Sequence, residues 1–545
     1  MEFDVIIIGG GATGAGVLRD CVLRGLKALL IEKDDLAAGT SGRNHGLLHS
    51  GARYAVKDQE SAVECWAENQ VLRRIANHCI EDTGGLFVTL PEDDPAYHDR
   101  LLVGCRAAGM PVEEISPDQA RQWEPNLNPA IKTALKVPDA TVDPFRLTAA
   151  NVLDAIEHGG QVLTHTMVLS LIRKQDRILG VTCQKTGTSR TFDIYGRVIV
   201  NATGIWGQRL CRTADVDLIM FPSKGSMVII DYRINGRVVN RCRPPGDGDI
   251  IVPGDTVSLI GTSSREIPYE DIDNLRVDDD EIEVLLAEGE KMIPNVSRTR
   301  VLRAYAGVRP LLAQAETKDQ TPRGREISRG IVLIDHQLRD GLSGLATIVG
   351  GKLMTYRLMA EKTVDLVAAK LGLSTACQTH QRPLPGSEKI KPKQKKGRQF
   401  SGAPESVVGS TQYRHGERVH RILGRITDDY GLICECEMVT AGEVKYALNR
   451  LAVTNLLDLR RRTRIGMGPC QGQICAFRAA GLFVDLGVVP GEEANRLLVD
   501  FLEERFKGIR PILWGDALRE IEFTYWIYQG LFGWGSGIPM DQDIT

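Results

Sequence analysis

The sequence lacks any long apolar run: no stretch approaches the roughly 18 residues that a membrane-spanning helix needs. Its first residues have no basic segment, and the apolar run Val5–Ile8 is too short for a signal peptide. An excess of charge is also missing, with a formal net charge of −3, so nucleic acid is not an expected partner. We therefore expect no signal peptide and no transmembrane helix, with membrane contact only as a peripheral protein.

Cysteine is too sparse for a disulfide scaffold. The chain has 12 cysteines in 545 residues, and four of them fall between Cys434 and Cys475. This distribution is typical of a reducing cytoplasm, with one local cysteine cluster that needs a separate explanation. At about 150 residues per domain, the length predicts three to four domains.

The N-terminus has the pattern of a dinucleotide-binding βαβ unit. Its parts are a strand, a GxGxxG turn, a helix, a second strand and a terminal acid: Asp4–Ile8, Gly9–Gly14, the residues after Gly14, Ala28–Ile31 and Glu32. Gly9 allows the tight turn, Gly11 lets the backbone approach a pyrophosphate, and Gly14 lets helix and strand pack closely. The Glu32 carboxylate can accept hydrogen bonds from ribose hydroxyls.

Segments far downstream favour FAD over NAD. A loop of small residues follows the second strand, and two more buried strands end in glycine turns; the candidate contacts are Thr40, Ser41, Leu48, Thr203, Gly204, Gly350 and Gly351. The Gly350–Gly351 turn offers N–H groups to the flavin edge where charge develops on reduction. A cofactor that contacts both the N-terminal glycine turn and residues about 350 positions later suits FAD better than NAD. The layout resembles the D-amino-acid-oxidase-like branch of the glutathione-reductase-type flavoproteins, an α/β fold.

The chain divides into three regions on this basis. We predict an FAD-dependent oxidoreductase region, a basic linker and a C-terminal region at 1–385, 386–404 and 405–545. The FAD-binding pieces are expected at about 1–60, 145–215 and 330–380. Between them, short strands at about 216–330 predict an inserted antiparallel substrate sheet.

Basic residues recur where a substrate would meet the flavin. They stand in the segments HSGARY, YAGVRP, ISRGI and GGKLMTYR, as Arg53, Arg309, Arg329 and Lys352. Guanidinium groups match the geometry of carboxylates and phosphates, so the set predicts an anionic substrate.

These motifs together resemble the FAD-dependent sn-glycerol-3-phosphate dehydrogenases over residues 4–375. The resemblance implies roles for eight residues: Arg309 and Arg329 on the phosphate, Arg53, Tyr54 and Lys224 in the same pocket, Lys352 and Thr355 near the reacting hydroxyl, and His49 in the HSGARY segment. One position departs from the family pattern, because Met227 stands where aerobic single-subunit members have a histidine. A proton role for that histidine cannot carry over.

The implied reaction oxidises a secondary alcohol to a ketone. A hydride leaves C2 for the flavin, while a base removes the hydroxyl proton. We predict His49 as that base, since a histidine's ordinary pKa, about 6.5, suits neutral pH. Lys352 is the other candidate, and His49 could instead orient the loop as a core residue.

The cysteine cluster indicates a metal centre. Cys434 and Cys436 form C-x-C, and Cys470 and Cys475 form C-x4-C. Four thiolates suit either zinc or an iron–sulfur cluster. The spacing is unusual for zinc and resembles the [2Fe-2S] domain of the bacterioferritin-associated-ferredoxin type, expected at about 430–490.

As a whole, the chain resembles the FAD-containing large subunits of anaerobic glycerol-3-phosphate dehydrogenase complexes. That resemblance implies a second flavin-containing subunit, a membrane-bound iron–sulfur subunit, menaquinone as downstream acceptor, and the cytoplasmic face of the inner membrane. The aromatic segment around Trp514 and Thr524–Trp534 is a candidate partner surface or a core helix. Two alternatives stay open: an amine or amino-acid dehydrogenase with the same cofactors, and a non-catalytic flavoprotein that connects partners.

Overall fold

The fold is taken from a computed structural model that describes residues 2–294, 296–312, 330–388, 403–424 and 427–532. Arg329, most of the predicted basic linker and the end of the aromatic tail, including Trp534, lie outside these ranges. Two large sheets and a helical C-terminal region make up most of the described residues.

The first sheet is built on five parallel strands. In spatial order they are Gln161–Leu163, Ala28–Ile31, Glu2–Ile8, Thr191–Asn201 and Leu345–Gly350. Three antiparallel strands extend it: Thr166–Lys174, Arg177–Lys185 and Ile331–Asp335. The apolar run Val5–Ile7 is fully buried, as expected for a parallel strand covered on both faces.

Helices cover this sheet and bring the cofactor pieces together. The helix Ala12–Leu23 follows the glycine turn and packs between Pro144–Glu157 and Tyr356–Leu371. Thus three segments separated by hundreds of residues form one layer, as the FAD prediction required. The shorter helices Gly207–Arg212 and His336–Asp340 lie beside the same sheet.

The second sheet has nine strands and is almost entirely antiparallel. The path through eight of them is Arg265–Glu266, Met220–Ile230, Val257–Gly261, Ile250–Gly254, Val238–Arg241, Gly85–Thr89, Thr133–Val137 and Glu113–Ile115, and Val301–Leu312 pairs with Met220–Ile230. Three of these strands come from residues 85–137, outside the predicted range 216–330. They join because Val238–Arg241 pairs in parallel with Gly85–Thr89, a contact that no local pattern announces.

A small sheet and four helices surround this region. The three-stranded sheet contains Leu47–Leu48, Ala140–Val142 and Ile80–Glu81. The helices are Gln59–Ile75, Ala96–Ala107, Pro117–Trp123 and Asp279–Met292.

The C-terminal region is mostly helical. Its helices are Glu405–His415, Val419–Ile422, Ala441–Arg450, Leu456–Thr463, Cys475–Asp485, Ala494–Ile509 and Gly515–Phe532, with a two-stranded sheet of Leu432–Cys434 and Val439–Thr440. The Thr440–Glu443 capping box is present, and Val444 and Ala447 on the predicted apolar face are buried. Both features confirm the sequence interpretation of this helix.

Ion pairs attach the C-terminal region to the loop that follows the strand Ala28–Ile31. The buried Asp35 carboxylate accepts Arg462 at 2.5 Å and Arg461 at 3.0 Å. Asp458 holds His165 at 3.1 Å, and this contact raises the pKa of that histidine. The cysteine-bearing region is therefore fixed against the segment that follows the second strand of the βαβ unit.

Candidate functional site

A cavity of about 770 Å³ lies where the carboxyl ends of the parallel strands meet the second sheet. Nine of the eleven predicted cofactor residues line it: Gly9, Gly11, Glu32, Thr40, Ser41, Thr203, Gly204, Gly350 and Gly351. The carboxyl edge of a parallel sheet is where α/β folds bind nucleotides, so the predicted positions converge as expected.

The first glycine turn leaves no room for side chains. Gly9 has φ +110°, and a Cβ there would lie 2.6 Å from the Ala202 carbonyl oxygen. A Cβ on Gly14 would lie 1.9 Å from the Gly9 carbonyl oxygen, which explains why helix and strand can pack so closely. This tight cradle, with the N-terminus of Ala12–Leu23 facing the cavity, fits a diphosphate.

Gly9→Ala should therefore abolish stable FAD binding. The added methyl group meets the backbone that directly follows the neighbouring parallel strand Thr191–Asn201, so the turn must open. Gly25→Ala is the matched control, because Gly25 also has a positive φ (+88°) but has nothing within 4 Å of its Cβ position. We expect the control to retain FAD and lose about 1 kcal/mol of stability. Flavin absorbance per purified chain measures the difference, and equal FAD content in both variants would contradict the assignment.

Glu32 closes the second strand at the cavity wall. Its carboxylate accepts hydrogen bonds from the Gly10 N–H at 2.6 Å and from the Asp34 N–H at 2.9 Å. Desolvation raises the pKa of this carboxyl group. The side chain thus lies beside the glycine turn, where ribose hydroxyls of a dinucleotide are expected.

The Gly350–Gly351 turn forms another part of the cavity wall. Both glycines have positive φ, +84° and +68°, and a Cβ on Gly351 would lie 2.3 Å from the Met359 sulfur. The Lys352 ammonium donates to the Ser61 hydroxyl at 2.8 Å and lies 4.5 Å from the centre of the Tyr54 ring. Ser61 in turn donates to the Asp58 carboxylate at 2.7 Å, which fixes the position of the lysine.

His49 lies in the same corner as Lys352. The imidazole is 8% exposed and is edge-on to the Tyr54 ring at 5.6 Å between centroids. The Asn69 side chain donates to the His49 carbonyl at 3.1 Å and holds the backbone. Both predicted candidates for the general base therefore face the Tyr54 ring.

Arg309 forms part of the cavity wall on the second sheet. Its Nη1 donates to the Ser223 hydroxyl and the Lys224 carbonyl at 3.2 and 3.1 Å. Its Nη2 donates to the Thr262 hydroxyl and the Ser263 carbonyl at 2.8 and 2.9 Å. The guanidinium lies over Gly225, where a Cβ would be 2.6 Å from Nη2, so this glycine makes room for it.

Several predicted site residues lie outside the lining of this cavity. Arg53 pairs with the buried Asp249 carboxylate at 2.9 Å. The Lys224 side chain projects from the face of the sheet opposite to that of Arg309 and pairs with Asp278 and Glu281, both at 2.8 Å.

Three further predicted residues do not line the cavity but pack behind residues that do. The Thr355 hydroxyl is fully buried and caps the turn at the Lys352 backbone. Leu48 faces the core while its neighbour Leu47 lines the cavity, as strand alternation requires. Gly14 acts through close packing, as described above.

Among the lining residues that were not predicted as site residues, three lie beside predicted ones: His45, Met227 and Thr262. His45 lies 5.7 Å from His49 between ring centroids, and the spacing His45-x3-His49 in one Gly-rich loop was an available signal. Met227 and Thr262 line the cavity beside Arg309. Thr262 follows the strand Val257–Gly261 and reaches the cavity only through sheet pairing, so no local signal marks it.

The four cysteines of the C-terminal region form a second candidate centre. The Cys475 thiol is in hydrogen-bonding contact with Cys434 and Cys470, and Cys436 contacts Cys470. Hydrogen bonds from Cys475 and from the Ile474 and Gly472 N–H groups lower the pKa of Cys470 to about 5. A set of four thiols with backbone N–H donors fits an iron–sulfur cluster, whose potential such donors tune.

The glycines of this loop bring the two cysteine pairs together. A Cβ on Gly468 would lie 2.6 Å from the Cys436 Cβ. Gly466 and Gly472 have positive φ and lie against the Phe501 ring, so the loop needs glycine at each position.

Comparisons with known proteins agree with both centres. The family model described as FAD dependent oxidoreductase matches residues 4–357, and that of the BFD-like [2Fe-2S] binding domain matches residues 432–483. The A-subunit of anaerobic glycerol-3-phosphate dehydrogenase from Escherichia coli (strain K12) is 56% identical over 530 residues, 97% of each chain. The protein of that name from Haemophilus influenzae is 51% identical over 542 residues, covering 99% of this chain and 95% of the relative.

A solved structure shows the same fold. The glycerol-3-phosphate dehydrogenase from Bacillus halodurans complexed with FAD has a TM-score of 0.70 at 24% identity and covers 94% of this chain and 96% of its own. Among the described residues, no helix has the length and apolar character needed to cross a membrane.

Proposed function

Because the chain belongs to the FAD dependent oxidoreductases and, within them, to the family of anaerobic glycerol-3-phosphate dehydrogenase A-subunits, we propose that it oxidises sn-glycerol 3-phosphate to dihydroxyacetone phosphate. Arg309 is the observation that carries the proposal. Its two Nη groups donate to four protein oxygens and hold the positive charge in the wall of the cavity, where it attracts the phosphate of an anionic substrate.

The predicted substrate and base residues have distinct tasks in this reaction. FAD in the cavity would supply the hydride acceptor for C2, and a [2Fe-2S] cluster on Cys434, Cys436, Cys470 and Cys475 would supply one-electron transfer. Arg309 binds the phosphate and sets which end of the substrate enters. His49 removes the hydroxyl proton, and Lys352 orients the hydroxyl while Ser61 and Asp58 hold its ammonium. Met227, a thioether, contributes packing and no proton transfer.

Anaerobic mixing with glycerol 3-phosphate tests the proposal directly. We expect the visible flavin absorbance to bleach with this substrate and to stay unchanged with a panel of amino acids. Bleaching by an amino acid alone would favour an amino-acid dehydrogenase. A flavin that no alcohol or amine reduces would favour a non-catalytic electron carrier.

The electrons are passed to partner subunits in this proposal. The partners are a second flavin-containing subunit together with a membrane-bound iron–sulfur subunit, with menaquinone as the downstream acceptor, at the cytoplasmic face of the inner membrane. Two observations support this: the relatives' names designate them as A-subunits, and the last helix, with the residue before it, exposes large apolar side chains: Trp514, Leu518, Phe523, Trp526 and Leu531. Exposed aromatic residues are enriched at protein interfaces.

Cys470→Ser should separate the two halves of the reaction. The variant is expected to keep FAD and its bleaching by glycerol 3-phosphate, but to lose the cluster, because serine does not replace a thiolate ligand. Iron and acid-labile sulfide per chain measure the loss. Cys377→Ser, at a half-buried cysteine of the FAD region, is the control and should keep both. One zinc and no iron in the parent protein would overturn the cluster assignment.

A further inference from the structure

A second cavity, of about 890 Å³, lies between the FAD region and the C-terminal region. It adjoins the flavin cavity: Ala38 and Asp273 line both, as do the loop residues Arg43, Asn44 and His45. These loop residues cross the strand Val301–Leu312, where a Cβ on Gly307 would lie 2.4 Å from the Arg43 carbonyl oxygen. The same strand therefore supplies Arg309 to the first cavity and Arg303 to the second.

The wall of this second cavity is strongly basic. It contains nine arginine or lysine residues against five acids: Arg43, Arg146, Arg276, Arg303, Arg460, Arg461, Arg464, Lys507 and Arg510 against Glu81, Asp143, Asp255, Asp273 and Glu504.

Every acid of the wall already has a cationic partner. The pairs are Glu81 with Arg233, Asp143 with Arg146, Asp255 with Arg464, Asp273 with Arg209 and Glu504 with Lys507. Arg461 pairs with Asp35. Five wall arginines have no carboxylate within ion-pair distance among the described residues: Arg43, Arg276, Arg303, Arg460 and Arg510.

Arg303 is the most deeply buried of these five. It is 6% exposed, and neither its Nε nor its Nη1 has a hydrogen-bond partner in the described part of the chain. Gly508 lets it lie flat against the helix Ala494–Ile509, since a Cβ there would be 2.7 Å from Nε. The Nε of Arg460 is likewise buried and unpartnered, and burial and the charge of Arg303 lower the pKa of Arg460.

Buried guanidinium groups without partners are costly, and such groups point to a ligand that completes their hydrogen bonds. We propose that this cavity binds an organic phosphate monoester, with Arg303 and Arg460 as its phosphate ligands. A phosphate supplies oxygens enough for two guanidinium groups and the charge that the wall lacks. The volume exceeds what a bare phosphate fills, and Phe145, Tyr305 and Tyr413 line the remainder.

Two kinds of phosphate monoester have this chemistry, and they differ in size. One is the substrate or product of the proposed reaction at a second site; the other is a mononucleotide-sized ligand. This second cavity lies next to the flavin cavity. It also contacts Met467 and Gln471 of the cysteine loop, so it is beside both proposed redox centres.

The test uses FAD-loaded protein that carries Arg309→Met, so that phosphate binding in the first cavity does not contribute to the measured signal. Inorganic phosphate is the probe, and its binding is followed by the rise in melting temperature. Adding Arg303→Met, which keeps the side-chain volume and removes the charge, should weaken phosphate binding about tenfold or more. Adding Arg177→Met instead, at an exposed arginine of the strand Arg177–Lys185, should leave binding unchanged. Arg460→Met is the second variant and should behave as Arg303→Met does.

Ligand-free stability gives a second readout. Since Arg303 is buried without a partner, Arg303→Met should melt at or above the temperature of its parent when no phosphate is present. Competition with glycerol 3-phosphate and with AMP then identifies the source by which compound displaces phosphate at the lower concentration. The proposal is overturned if phosphate fails to bind the Arg309→Met protein, if both cavity variants keep its affinity within about twofold, or if neither organic phosphate displaces it.

Discussion

Arg309→Met is expected to raise the KM for glycerol 3-phosphate roughly 100-fold, because a bound phosphate that loses its cationic partner loses a few kcal/mol of binding free energy. The turnover number should change much less, since the phosphate is remote from the reacting carbon and its contact exists before and during the reaction. Steady-state kinetics with an artificial dye as acceptor measures both constants. The FAD content of the variant should equal that of the parent, because no predicted cofactor contact is altered.

Two variants sharpen this result. Arg309→Lys keeps the charge but loses the fork that four oxygen acceptors hold in place, so it should recover only part of the affinity. Arg265→Met changes an arginine of the same sheet outside the cavity lining and should leave the KM unchanged. An unaltered KM in Arg309→Met would show that the phosphate binds elsewhere.

His49→Ala should lower kcat between about 100-fold and 10,000-fold, the range that loss of a general base produces. Hydride leaves C2 only as the hydroxyl proton is removed, so the chemical step slows while substrate binding through Arg309 persists. The acid limb of the pH–rate profile should also disappear, because it reports the protonation of the base. Rapid anaerobic flavin reduction measures this step without the later electron transfers.

The neighbouring imidazole provides the matched control. His45 lines the same cavity 5.7 Å from His49 between ring centroids, so His45→Ala tests whether any loss of aromatic packing has the same effect. A fall of less than about tenfold in His49→Ala would exclude it as the base. If Lys352→Met then removes the acid limb, the lysine takes that role.

Much of the cofactor site was predictable because it is local. The glycine turn, its helix and Glu32 lie within one βαβ unit, and the structure shows a steric reason for Gly9 and for Gly14. The same holds for the Thr440–Glu443 capping box that follows the first cysteine pair, because its two hydrogen bonds span only three residues. Short-range patterns of this kind depend on backbone geometry, which the residue types largely dictate.

The directions of the basic side chains were not predictable in the same way. Lys224 and Arg309 lie on paired strands, but they project from opposite faces, so one reaches Asp278 and Glu281 and the other reaches the cavity. Arg53 forms an ion pair with Asp249, which is almost 200 residues away in the sequence. A motif shows that a cation is present, whereas its partner depends on which strands are brought side by side.

The sequence alone thus determined the βαβ unit, the four cysteines and the family, because these depend on residue types at fixed short spacings. Only the tertiary structure decided which basic residues serve the cavity, and that His45 and Thr262 join them. It also revealed the second, basic cavity, whose walls come from both ends of the chain. The physical reason is that charge pairing is a competition between partners distant in sequence, settled only when sheets and helices have packed.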